Sequence, residues 1–230
     1  MLHVDGLNSS YGASHVLFDV SLVVAAGEIV ALLGRNGAGK TTTIASLVGF
    51  VRQRSGSITL DGRRIDQLPS YQRVRAGIGV VPQSGRVFRG LSIRENLEIV
   101  RGRREKVGWT VDRVFDVFPD LRPISHRDAG LLSGGQRQML AVGRALMTNP
   151  SIILLDEPSE GLAPVVVQAV GSLVRRLKGE GIGVLLAEQN HRFALAVADR
   201  GYLIERGRIH YEAPAAELLG SEQLHRHLGI

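Results

Sequence analysis

An α/β architecture with a parallel sheet follows from the order of apolar patterns along the chain. Short continuous apolar runs alternate with stretches of helical spacing. One run, residues 28–33, leads into a glycine-rich loop and then a helix-spaced stretch. Another, Ile152-Ile153-Leu154-Leu155, ends in the adjacent acids Asp156-Glu157. Open α/β sheets bind ligands at the C-terminal ends of their strands, and both features arise at such an end.

The elements are read in chain order. Apolar and polar residues alternate over the first part, so residues 2–4 and 16–24 are predicted strands joined by a turn around Tyr11-Gly12. Residues 28–33 form a buried strand and 40–48 a helix. Ser57-Ile58-Thr59-Leu60 followed by Asp61-Gly62 reads as strand and turn, and residues 78–81 as a buried strand stopped by Pro82. From 91 to 147 the pattern is mainly helical with basic loops, the mark of an inserted subdomain. Strand signals return at 151–155, 183–187 and 202–205, with a helix at 165–178, and the last residues, 216–230, read as a short helical tail. There is no internal repeat and no low-complexity linker. The 230 residues, 44% hydrophobic, suit one globular domain carrying a subdomain.

Composition narrows the chemistry. The chain has no cysteine, which excludes disulfides, thiolate metal sites and cysteine nucleophiles. The N-terminus lacks the basic start and apolar stretch of a signal peptide. No run approaches the roughly 18 to 20 apolar residues of a spanning helix, so a role at a membrane is expected to run through a partner. The formal charge is +6, with Lys40, Lys106 and Lys178 the only lysines. The basic residues are scattered except for Arg101, Arg103, Arg104 and Lys106, which read as a solvated loop and not as a nucleic-acid surface.

Gly34-Arg35-Asn36-Gly37-Ala38-Gly39-Lys40-Thr41 is a complete phosphate-binding loop. Gly34, Gly37 and Gly39 let the backbone approach phosphate oxygens and point N–H groups inward, while the following helix directs its positive end at the anion. Lys40 is expected on the β- and γ-phosphates and the Thr41 hydroxyl on Mg²⁺. Asp156 is expected in the Mg²⁺ shell and Glu157 as general base toward the attacking water. Leu132-Ser133-Gly134-Gly135-Gln136 opens a further helix. It reads either as an ordinary Ser133 cap after a loop or as a second phosphate-contacting helix start. In the second case a two-fold-related chain would have to present it, since one nucleotide cannot easily meet both loops of the same chain.

Over its whole length the chain resembles an ATP-binding cassette (ABC) nucleotide-binding domain. The phosphate loop, residues 132–136 and the Leu155-Asp156-Glu157 strand end occur in family order and spacing. The resemblance implies a P-loop NTPase fold with a mixed sheet core, an N-terminal antiparallel β subdomain and a helical subdomain at about residues 88–147. It implies a head-to-tail dimer enclosing two ATP molecules with Mg²⁺. Ser133 and Gly135 of one chain would face the nucleotide held by Asn36, Lys40, Thr41 and Thr42 of the other. Tyr11 matches the residue that stacks on adenine. Gln83 matches the glutamine that contacts Mg²⁺ and water and senses the membrane partner.

Finer features, Ser159-Glu160-Gly161-Leu162-Ala163-Pro164, Ala187-Glu188-Gln189-Asn190, Ala198-Asp199-Arg200-Gly201-Tyr202 and the terminal His227-Leu228-Gly229, resemble an ATPase subunit of branched-chain amino acid importers or of urea and short-chain amide importers. The expected partners are integral membrane permease subunits, a second ATPase subunit and, indirectly, a periplasmic solute-binding protein. The expected place is peripheral, on the cytoplasmic face of the inner membrane, with no nucleic acid bound. Gln189 stands where most relatives have a histidine that contacts the γ-phosphate, and Ala163 where many have an aspartate that contacts the opposite subunit. These mark the subtype and imply a heterodimer with a subunit that carries the histidine, the homodimer being the alternative. Ser84 lies in a stretch that often reads Gln-Gly-Arg, a departure expected to alter the partner contact slightly. The rival is a non-transport cassette ATPase acting on ribosomes or nucleic acid, which the single cassette and compact insert disfavour.

Overall fold

A computed structural model describes residues 1–83, 85–100 and 108–229. The basic cluster at 101–106 and Ser84 lie outside the described residues. β1 (Leu2–Tyr11) and β2 (Ser14–Val24) form an antiparallel hairpin, with the turn at Gly12-Ala13. β3 (Ile29–Leu33) is buried at every residue and feeds α1 (Lys40–Val48). β4 (Arg52–Leu60) lies antiparallel on the other side of β1, and the short β5 (Arg63–Arg64) closes that edge, giving a sheet of order β2-β1-β4-β5. This is the N-terminal antiparallel sheet that the resemblance implies.

α2 (Ser70–Ala76) and β6 (Ile78–Val81) come next. Among the described residues three α-helices follow: α3 (Ile93–Glu98) behind a Ser92/Glu95 capping box, α4 (Val111–Val117) capped by Thr110, and α5 (Gly134–Leu146) capped by Ser133. β7 (Ile152–Asp156), α6 (Pro164–Gly179), β8 (Gly183–Glu188), α7 (His191–Val197) and β9 (Arg200–Glu205) alternate strand and helix. β10 (Arg208–Pro214), α8 (Ala215–Leu218) and α9 (Glu222–Leu228) complete the described chain. The second sheet has the order β10-β9-β3-β8-β7-β6. Five of these strands run parallel, and β10 is an antiparallel edge, so the sheet is mixed.

The continuous apolar runs serve two cores at once. Ala31, Leu33, Ile153, Leu155, Val184 and Leu186 pack with the α5 and α6 side chains, whereas Val30, Leu32, Leu154, Leu185 and Ala187 pack with α1 and the antiparallel sheet. Successive strand residues point to opposite faces, so a strand covered on both sides has no polar position to spare.

Three elements lie where the sequence pattern assigned none. β10 occupies residues to which the sequence pattern assigned no element; its alternation leaves several polar side chains outward, as an edge strand tolerates. α7 is short and shows itself in the sequence only through its Asn190 cap, whose side chain accepts from Phe193 N–H. α2 has no apolar stripe, because its buried residue is Arg73. The Arg73 guanidinium is 4% exposed and donates to Ser46 O (2.8 Å), Leu47 O (3.0 Å) and Leu68 O (2.8 Å), and also to Asp66 O. It thereby reinforces the C-terminus of α1, where Leu47 O accepts from it and Ser46 O accepts from both Arg73 and Gly49 N–H. Burial lowers its pKa.

Candidate nucleotide and coupling site

The loop between β3 and α1 is shaped by close contacts. A Cβ on Gly34 would fall 2.5 Å from Ile204 O, so only glycine fits there. Gly39, the N-cap of α1, has φ +115°, a conformation that favours glycine. Lys40 is 3% exposed; its Nζ donates to Gly34 O (2.8 Å) and Arg35 O (3.1 Å) and pairs with Glu157 Oε1 at 2.9 Å. The phosphate loop is thus held with its lysine already neutralised by a carboxylate across the sheet.

β7 delivers Asp156 and Glu157 to the same place. Asp156, 3% exposed, accepts from the Thr41 hydroxyl at 3.1 Å. Glu157 turns back on itself with φ +47°, an uncommon conformation for a side-chain-bearing residue, while its N–H donates to Ala187 O on β8 at 2.9 Å. That turn aims its carboxylate at Lys40. Gln83, just beyond β6, donates from Nε2 to Glu157 Oε2 at 3.1 Å and also to Glu160. Asn36, Gly37, Gly39, Lys40, Thr41 and Thr42 line one cavity of 380 Å³ together with Gln83 and Glu157.

Tyr11, Ser133, Gly135 and Gln189 are not among the residues that line this cavity. Tyr11 stands half-exposed at the end of β1, and Val16 is the residue its hairpin contributes to the cavity wall. Ser133 Oγ accepts from Gln136 N–H at 3.2 Å while Gln136 Oε1 accepts from Ser133 N–H at 3.0 Å, a reciprocal cap. That cap leaves the Ser133 hydroxyl hydrogen free to donate. A Cβ on Gly135 would lie 2.9 Å from Val166 Cγ2, so part of its reason to be glycine is the packing of α5 on α6. Gln189 is exposed at the turn after β8.

Two carboxylates here go beyond the residues expected from sequence. Glu160 shares Gln83 with Glu157. Glu188 is 2% exposed and accepts from Ser159 N–H (3.0 Å) and Asn190 N–H (3.3 Å). The available signal was a glutamate ending an apolar strand one residue ahead of a polar turn. Burial raises the Glu188 pKa, against the opposing pull of its hydrogen bonds from Ser159 and Asn190.

The Asp156 carboxyl is also pushed above its ordinary range, chiefly by burial, with the Thr41 bond opposing and the Glu157 charge adding to the rise. A carboxyl whose pKa rises on folding costs stability once it ionises. The cost is absent below its ordinary value of 3.8 and accrues as pH climbs through the higher folded-state value. Asp156→Asn is therefore expected to raise the melting temperature of the metal- and nucleotide-free protein at neutral pH, with the gap closing as pH falls. Calorimetry in chelator across that range checks this, and a lower melting point for the variant would contradict it. The donor set suits a hard divalent cation: a hydroxyl oxygen and a carboxylate oxygen 3.1 Å apart, with the Gln83 amide beside them.

A larger groove of 670 Å³ starts at Thr41, Gln83 and Asp156 and runs outward to Phe50, Phe88, Arg86 and Arg144. Phe50 and Phe88 are 70% and 45% exposed. Phe88 is nonetheless fixed: buried Asn96 accepts from its N–H (2.8 Å) and donates to its C=O (2.9 Å), and Arg144 lies over its ring at 4.2 Å while donating to Arg86 O at 2.7 Å.

A phosphate-loop cavity joined to an outward groove is the setting in which comparison with known proteins gives the class. The ABC transporter family model matches residues 17–160, and the chain belongs to that family. It is 44% identical to the high-affinity branched-chain amino acid transport ATP-binding protein BraG of Pseudomonas aeruginosa over 95% of each chain. It is 39% identical to the lipopolysaccharide export system ATP-binding protein LptB of Haemophilus influenzae, over 98% of this chain and 95% of that one. Among solved structures, the ATP-binding subunit of an ABC transporter superposes with a TM-score of 0.85 at 27% identity over the whole of both chains. The chain is thus an ABC transporter ATPase subunit.

Proposed function

We propose that this chain powers an importer of branched-chain amino acids from the cytoplasmic face of the inner membrane. The observation that carries the reading is the 44% identity, over 95% of both chains, with a protein whose name specifies that transport. Residues 159–164 and the pair Gln189-Asn190 support it by resemblance. Among the described residues no helix is long and apolar enough to cross a membrane, so permease subunits would provide the path. The helical subdomain, about residues 88–147, and the groove between Phe50 and Phe88 are the proposed permease contact. A binding protein would act through the permease, and no nucleic acid takes part.

In this reading Lys40 and the N–H groups around Gly34, Asn36, Gly37 and Gly39 hold the β- and γ-phosphates, with Thr42 at the start of α1. Tyr11 stacks on adenine. Thr41, Asp156 and Gln83 would hold Mg²⁺, which when bound neutralises phosphate charge. Glu157 leaves Lys40 when the γ-phosphate arrives and accepts the proton of the attacking water. Ser133 and Gly135 of a second subunit meet the same γ-phosphate, so ATP favours the closed dimer through contacts that the open state lacks. Loss of that phosphate on hydrolysis reopens it.

Gln189 can donate a hydrogen bond to the γ-phosphate but brings no charge. Ala163, the N-cap of α6, has no side-chain cap bond to offer a neighbour. Both favour a partner subunit of different sequence. The chain purified alone is expected to hydrolyse ATP slowly and to speed up when the second subunit is supplied; an ATP-dependent homodimer with full turnover would overturn the heterodimer. For the solute, the complex that co-purifies with this chain is reconstituted in vesicles. ATP hydrolysis is expected to rise with leucine-loaded binding protein and not with urea- or amide-loaded protein. Absence of a leucine response overturns the amino acid reading, and lipid A-dependent hydrolysis would replace it with export.

A further inference from the structure

We propose that Glu188 is a positioning residue for hydrolysis, locking the loop of Glu157 and the loop of Gln189 onto one strand end. The inference rests on the roles given above to Glu157 and Gln189. β8 ends with two consecutive acceptors. Ala187 O takes the N–H of Glu157 at 2.9 Å, and the Glu188 carboxylate takes the N–H of Ser159 at 3.0 Å. The chain leaving β7 is therefore pinned at the base itself and again two residues later. The first anchor sits on the residue whose φ of +47° directs the carboxylate inward, and the second holds the chain just beyond it. A left-handed residue with a side chain persists only where its surroundings over-determine it, and the two bonds to β8 do so.

The other Glu188 oxygen accepts from Asn190 N–H at 3.3 Å, so the same carboxylate closes the turn that presents Gln189. Asn190 in turn caps α7 through Phe193 N–H. Glu188 is 2% exposed and, among the described residues, has no basic side chain paired with it. A buried anion compensated by neutral hydrogen-bond donors, the Ser159 side chain among them, and by no counterion is costly to keep for packing alone. A neutral residue of that size would fill the space, but only the carboxylate offers acceptors to both loops. Movement of Gln189 on a γ-phosphate then passes through one rigid group to the base and to the segment 159–164.

The test is Glu188→Gln, which keeps size and one acceptor but turns an amide N–H₂ toward a backbone N–H. Turnover is expressed per bound nucleotide, so that a partly unfolded preparation cannot imitate the effect. kcat is expected to fall at least about tenfold with ATP affinity within about twofold of the parent, the pattern of a contact needed in the transition state. Amide hydrogen exchange is expected to quicken at Ser159 and Asn190 and to hold its parent rate at residues 183–187. Unchanged kcat, a parallel loss of kcat and affinity, or parent exchange rates at Ser159 and Asn190 each overturn the proposal. Glu157→Gln is measured alongside. Full turnover in that control means the reading of the base has failed, whereas a dead control with an active Glu188→Gln rejects the linkage alone.

Discussion

Lys40→Ala is expected to weaken ATP binding by at least about a hundredfold, equivalent to about 2.7 kcal/mol, because the lysine is the charged donor at the phosphate end of the loop. Equilibrium titration with ATP checks it, and parent affinity would remove Lys40 from its assigned role. The substitution has a second, opposite-facing consequence. Lys40 and Glu157 form a buried pair at 2.9 Å, with side chains 3% and 7% exposed. Removing one partner from a buried pair typically costs about 3–5 kcal/mol, because the other charge is left without its counterion. The Gln83 donor moderates that loss. The melting temperature should fall, and the double variant Lys40→Ala, Glu157→Gln should recover stability without recovering ATP binding. That split separates the lysine's part in the empty protein from its part with nucleotide.

Glu157→Gln is expected to cut turnover at least about a hundredfold, the range for a lost general base, while ATP binding persists. Since the γ-phosphate is no longer removed, the contacts that favour closure accumulate. Light scattering at saturating Mg²⁺ and ATP should detect a long-lived dimer, of this chain with itself or with the second subunit. A variant that stays monomeric under both conditions would dispose of the closure scheme. The amide preserves an acceptor toward Lys40, so the melting temperature is expected to move less than in Lys40→Ala.

Much of this was legible because covalent neighbours do the work. The runs at β3 and β7 are apolar at every position, and the loop and acids that follow them inherit their places from the strands. α5 and α6 announce themselves by a serine cap and an N-terminal proline. β10 was hidden because its strand keeps polar residues outward, and α2 because it buries an arginine where a helix ordinarily buries an aliphatic stripe. The pairing of Lys40 with Glu157 and the sharing of Gln83 between Glu157 and Glu160 join residues far apart in sequence. Local pattern holds no record of such contacts. Glu188 illustrates the same limit: a glutamate at a strand end is ordinarily solvated, and only the return of two loops onto β8 buries it. Under the proposed function Ser133 and Gly135 would meet the nucleotide of a second subunit, which accounts for their lying apart from the cavity of their own chain.

The helix α1 has its first turn at the phosphate loop and, one residue beyond its Gly49 cap, Phe50 in the outer groove. Nine residues of helix span about 13.5 Å, short enough to behave as a rigid strut. Arg73 bolts the far end of that strut to α2, the helix that leads into β6 and Gln83. Nucleotide and permease would therefore press on opposite ends of one lever, and a tilt too small to disturb either core would be felt at both. Under the proposed function, stiffness between the two ends is what this fold would supply for coupling.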